Sequence, residues 1–170
     1  MQGGNAPPPE ALKAYLLLCL DRNVEAIAIL RSTDPQIFAE PPPMLYPGRV
    51  GQNALVGLAL LRTGAADHGR TLLQQIVKLL ADRPGNRSIW YMAWWDVVAY
   101  SDLGDKDKAI AALRDGIAAG TVLDIAVLDR HPLLRDLRAD PRYESTVAPA
   151  RARAAAQVAA AVEAGLLPRI

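Results

Sequence analysis

The sequence predicts an all-α fold: a short α-solenoid of about three antiparallel helix pairs with a C-terminal capping helix. Three observations lead there. Strand signals are almost absent, with no sustained period-two alternation enriched in Val, Ile and Thr. Apolar residues recur at helical spacing through most of the 170 residues. The helical stretches also come in pairs joined by very short turns, which forces neighbouring helices to run antiparallel. Gly64 and Gly104 open the turns of two such pairs, 40 residues apart. A period near 40 with two helices per unit is the pattern of stacked helical repeats.

The elements follow in order. Residues 1–8 read as a linker, and the domain spans 9–165. The prolines at 7–9 lead into a helix over about 9–20, since proline is tolerated in the first turn. Asn23 caps a second helix, VEAIAILRS, which completes a pair over about 9–32. The proline-rich stretch at 33–49 excludes a long helix and reads as an extended crossover. The second pair covers about 50–83, with its turn at Gly64 and a broad apolar stripe from Leu72 to Leu80. Ser88 can cap an aromatic helix that stops at Gly104, and Asp105 caps its partner, giving a third pair over about 88–120. The tail, 121–165, holds a short helix from Thr121, the HPLLRDLR stub and a last helix opened by Asp140-Pro141 and kinked at Pro149.

Composition narrows the function classes. Formal net charge is +1, so no bulk electrostatic argument points to nucleic acid or an anionic membrane. The longest strongly apolar run, AYLLLCL at 14–20, is far short of the roughly 20 residues that span a bilayer. It is also a poor signal peptide, and a cytoplasmic location is expected. Cys19 is the only cysteine, so an intramolecular disulfide is excluded and a cysteine-based zinc site is not expected.

The motifs of common chemistries are missing. There is no phosphate-binding P-loop, dinucleotide fingerprint or nucleophile elbow. His68 and His131 belong to no spaced ligand set; His68 reads as an exposed turn residue, and His131 as a helix-terminus residue whose charge suits the helix dipole. Cys19, inside an apolar helix, reads as a buried, inert thiol. Asp102, Asp105 and Asp107 lack calcium-loop spacing and suit a helix start. Asp96, between Trp95 and Val97, needs a partner if buried. The arginines of RDLRADPR and ARAR alternate with Asp136, Asp140 and Glu144, as on a solvated face. No metal, no cofactor and no catalytic residue is expected.

The stretch YSDLGDKDKAIAALRDGIAAG resembles the second half of a tetratricopeptide repeat. Tyr100, Gly104, Asp105 and Ala109 take that family's turn and close-approach positions, and Leu113 and Gly116 follow on the same face. In the preceding pair Val56-Gly57, Leu60, Gly64 and Gly69 take the corresponding places; in the first pair Ala14, Leu17 and Ala26 do. The likeness covers roughly residues 8–120 and weakens toward the N-terminus. It departs from the family where the usual Trp and Leu positions fall on Ala93 and Asp96; a shift of one residue brings Trp94, Val97 and Val98 there instead. The tail resembles the ends of such regions in multidomain bacterial proteins, which implies a capping element.

All three tryptophans lie in one run, IWYMAWWDVVAY. The helix is apolar almost all the way round, which suits a middle helix packed on several sides. The family resemblance also implies a concave face built from the first helix of each pair. In the register set by Gly104 this face takes Tyr91, Trp94, Val98 and Asp102, with Leu58, Leu61 and Arg62 from the second pair and Tyr15 from the first. Leu18 and Ala54 share it. Tyr, Trp and Arg dominate interface hot spots. The expectation is therefore a non-catalytic interaction or scaffold module that binds an apolar protein segment or peptide in this groove. An alternative is that the chain's own N-terminal segment or proline-rich crossover fills it. Other readings are a small-molecule sensor with a pocket lined by Trp90, Tyr91 and Trp94, a regulatory domain of a larger bacterial signalling or transcription protein, an enzyme gathering Asp96, Arg62 and a histidine, and self-association through the aromatic surface.

Overall fold

The computed structural model describes residues 9–42, 49–82, 94–120 and 129–168. Among these residues the chain is helical, with no strand. The α-helices are α1 (Pro9–Cys19), α2 (Asn23–Thr33), α3 (Val50–Arg62), α4 (Ala66–Asp82), α5 (Trp95–Asp102), α6 (Lys106–Ala118), α7 (Arg135–Arg138) and α8 (Pro141–Glu163). Short 3-10 turns lie at Pro35–Phe38 and Pro132–Leu134. Ser88, Trp90, Tyr91, Ala93 and the expected helix from Thr121 fall outside the described residues.

Helices that follow one another directly pack together: α1 on α2, α3 on α4, α5 on α6. Local turn chemistry explains each reversal. Gly64 and Gly104 both adopt left-handed backbone, with φ of 97° and 82°, where an L side chain is strained. At the end of α5 the Asp105 amide donates to Tyr100 O at 2.9 Å and the Gly104 amide to Ser101 O at 3.1 Å, the two bonds of a Schellman cap. The end of α1 repeats this pattern without glycine. Asp21, at φ 57°, takes the left-handed position, the Arg22 amide donates to Leu17 O at 2.9 Å and the Asp21 amide to Leu18 O at 3.1 Å. Asp105 accepts from the Lys108 amide and Asp140 from the Arg142 amide, so both cap as the sequence indicates. Asn23 does not: Arg22 holds the cap position of α2 without a side-chain bond, and the Asn23 amide group donates back to Asp21 O.

Crossing of α3 and α4 depends on two glycines. A Cβ on Gly69 would lie 2.6 Å from both Gly57 O and Leu61 N, so the two backbones touch where any side chain would part them. This closeness makes α3 the centre of the molecule. It is buried from Asn53 through Leu60, because α1, α2, α4 and α5 all pack against it. The core continues through Leu72, Leu73, Ile76 and Leu80 of α4 and Leu113 of α6.

Two segments outside the helix pairs add to the core. The proline-rich stretch is not simply extended: Pro35–Phe38 forms a turn that buries Ile37, and His68 of α4 meets the Ile37 carbonyl at 3.2 Å. His68 is therefore half-buried rather than an exposed turn residue. The HPLLRDLR stub is also a core element, with Leu133, Leu134 and Leu137 buried. The Pro132–Leu134 turn rests on α1 and α5, and α7 and α8 cover α6. The last helix, α8, continues past Pro149.

Candidate functional site

The site forms where the start of α5, the end of α3 and the middle of α1 face the segment from His131 to Asp136. Trp94 precedes the first turn of α5 and stacks on Trp95, ring centres 4.8 Å apart and planes 20° from parallel. The His131 ring meets Trp94 edge-on at 4.4 Å and lies 5.6 Å from the Tyr15 ring. His131 Nε2 is hydrogen-bonded to the Tyr15 hydroxyl. On its other side, His131 Nδ1 accepts from the Leu133 amide at 3.3 Å. Because Nδ1 accepts, a neutral ring carries its proton on Nε2 and donates to Tyr15.

These contacts correct the expected role of His131. Pro132 stands at the first position of the turn, so His131 caps a helical N-terminus, where a positive charge is disfavoured. Burial, and then the nearby Arg138 guanidinium, lower its pKa to about 4. The ring is neutral near pH 7. Burial likewise pushes the Tyr15 hydroxyl well above its usual range, and the Cys19 thiol beside it upward.

A charged cleft of about 240 Å³ adjoins the aromatic contact. Arg62 Nη2 donates to Asp102 Oδ1 at 3.0 Å, and Arg62 Nη1 lies 3.9 Å from Asp21. Arg135 reaches Asp21 at 3.3 Å, and Asp136, Pro132 and Leu133 complete the walls. Asp102 is pulled both ways. Burial raises its pKa more than Arg62 lowers it, and Asp136 adds a smaller upward push.

Of the sequence-selected residues, Tyr15 and Trp94 meet through His131, and Arg62 and Asp102 form an ion pair. Leu61 is half-buried against the core. Leu58 and Val98 do not belong to this surface. Both have no exposed area, as does Leu18, and Ala54 is 1% exposed. Their helices have neighbours on too many sides to leave a groove-facing stripe. Tyr91 lies outside the described residues. Asp96 is buried in the first turn of α5, where its carboxylate accepts from the Val97 amide at 2.9 Å.

Three contributors escaped the sequence reading: Asp21, His131 and Arg135. The His-Pro pair carried a signal, since proline at a first helical position marks its predecessor as an N-cap. Asp21 and Arg135 are 114 residues apart, and no local pattern brings them together. No protein-family model, curated protein or solved structure matches the chain.

Proposed function

We propose that this chain is a non-catalytic interaction module, a short solenoid of tetratricopeptide-like helix pairs that binds an apolar peptide segment of a partner protein. The observation that carries this reading is the occupant of the site. Tyr15, Trp94 and the Arg62–Asp102 pair, from three different helical units, surround a short peptide segment that is the chain's own residues 131–133. A surface that orders one short segment through an aromatic contact and a buried leucine has the chemistry to order another. The shared Schellman geometry at Asp21 and Gly104 supports the repeat reading.

The electrostatics favour an apolar ligand over an acidic one. Arg62 is already matched to Asp102, which leaves it little attraction for a terminal carboxylate. The five arginines of RDLRADPR and ARAR are engaged as well. Arg135 pairs with Asp21, Arg142 with Asp140, and Arg151 with Asp129. Arg138 donates to His131 O and Arg153 to Ile117 O. That supports a solvated, paired face rather than a nucleic-acid patch. A small-molecule sensor would use an apolar pocket, usually of about 300 Å³ or more; the cleft here is charged and about 240 Å³. Catalysis by the groups present is disfavoured, because the His131 pKa is far below neutrality and the Cys19 thiol is raised. No helix among the described residues is long and apolar enough to cross a membrane. The tetratricopeptide resemblance implies a scaffold or regulatory role within a larger bacterial protein, for which a cytoplasmic location is expected.

Peptide titration tests this. A leucine-rich 12-residue peptide and an acidic one of equal length are titrated by calorimetry into the wild-type chain and into Leu133→Ala, which removes a buried leucine of the internal segment. The leucine-rich peptide binds, and binds several-fold tighter to Leu133→Ala, because loosening the internal segment raises the fraction competent to bind. Equal binding of both peptides, or none to either protein, overturns the reading.

A further inference from the structure

Leu12, Leu16 and Leu20 stand exposed along α1, with nothing among the described residues over them. The Tyr15–Trp94 surface is different, because its occupant is in place. The contacts of residues 131–134 therefore reveal what this surface selects.

Each of the four positions meets its own requirement. The His131 side chain has two polar tasks: Nδ1 accepts from the Leu133 amide at 3.3 Å, and Nε2 is hydrogen-bonded to the Tyr15 hydroxyl. Its ring also lies edge-on to Trp94. Histidine and asparagine carry two polar atoms on a short planar group. Serine and threonine can cap such a turn but have no planar group to lie against an indole. Aspartate would bring a charge into a place that is 5% exposed, which is costly without a cationic partner. Pro132 stands at the first position of the turn, where a missing N–H loses nothing and the fixed φ suits the turn. Leu133 and Leu134 are buried, and the Leu134 amide donates to His131 O at 3.1 Å. The turn as a whole packs on α1 and α5. All four requirements fall on consecutive residues, the form in which a linear peptide can present them.

We propose that the partner segment carries histidine or asparagine followed by Pro-Leu-Leu, and that residues 131–134 are an internal copy of this ligand. The proposal rests on the interaction-module reading and names the sequence such a module selects. A tethered copy competes at high effective concentration. The wild-type chain therefore holds its surface closed, and a partner binds by displacing the copy.

Fluorescence anisotropy with two labelled peptides tests it. One peptide is the chain's own residues 129–140, DRHPLLRDLRAD. The other has the same composition, with the central four residues in the order Leu-Pro-Leu-His. Two variants open the surface by different routes. Leu133→Ala trims a buried leucine, and His131→Ala empties the place between Tyr15 and Trp94 while keeping both leucines. The native-order peptide binds about tenfold more tightly than the scrambled one to both variants and, more weakly overall, to the wild type. In the complex with His131→Ala, the ring protons of the peptide's histidine give cross-peaks to the Trp94 indole. Equal binding of the two peptides overturns the proposal, and leaves the module reading standing where the leucine-rich peptide still binds. Failure of all three peptides to bind overturns both. A bound peptide whose histidine gives no cross-peak to Trp94 also overturns the proposal.

Discussion

Between Tyr15 and Trp94, the His131 ring has no acceptable place for a second proton. Its Nδ1 is committed as an acceptor for the Leu133 amide, and a protonated ring would set two donors against each other. The linkage follows from the lowered pKa. An unfolded chain binds a proton at His131 near pH 6.5, while the folded chain refuses it until about pH 4. Stability from this residue is therefore complete above pH 6.5, falls as the pH drops from about 6.5 toward 4, and then levels off. At about 1.4 kcal/mol per pKa unit, the loss is about 3 kcal/mol. Urea melts at stepped pH check this. His131→Asn retains a side-chain acceptor for the cap and should show a flatter acid slope than the wild type; identical slopes would remove His131 from the balance.

At the scale of the helix pair, two kinds of glycine do different work. Gly104 supplies a left-handed turn, and a Cβ there would meet nothing within 4 Å, so Gly104→Ala costs about 1 kcal/mol through backbone strain alone. Gly69 has ordinary helical backbone but meets the α3 backbone directly. Gly69→Ala should cost about 2 kcal/mol through overpacking, although alanine is the better helix former. Denaturant midpoints separate the two, and a Gly69→Ala chain as stable as the wild type would mean that α3 and α4 do not cross this closely. These positions were legible in the sequence because caps and turns depend on a few neighbouring residues: Gly64, Gly104, Asp105 and Asp140 could be read from turn and cap chemistry, and Gly69 from the tetratricopeptide resemblance. The α1 turn was harder. Asp21 replaces the glycine that such a cap usually takes, and Asn23, the better-looking cap, is placed one residue too late to serve.

Across the whole molecule, the helices were predictable and their mutual burial was not. Leu58 and Val98 take positions that the tetratricopeptide resemblance would assign to a concave face, but periodicity cannot say how many neighbours a helix has. That count depends on where the tail returns. The pair Asp21 and Arg135, 114 residues apart, joins the end of the first helix to the closing segment, and the Pro132–Leu134 turn packs against α1 and α5. The pair itself is exposed at both partners and contributes little on its own, typically under about 1 kcal/mol. Closure rests instead on the buried leucines Leu133, Leu134 and Leu137 and on the aromatic contact at His131. A solvent-exposed leucine stripe on α1 was likewise hidden in the run AYLLLCL, where apolar residues cover several helix faces and only the fold decides which face stays outside.

The central claim is that the Tyr15–Trp94 surface is held by the chain's own His131 segment. Nuclear Overhauser spectroscopy on a sample labelled at histidine tests it most directly. The account predicts cross-peaks from the His131 ring protons to the Trp94 indole and to the Tyr15 ring, consistent with ring centres 4.4 Å and 5.6 Å away. A His131 ring without cross-peaks to either aromatic residue would contradict it.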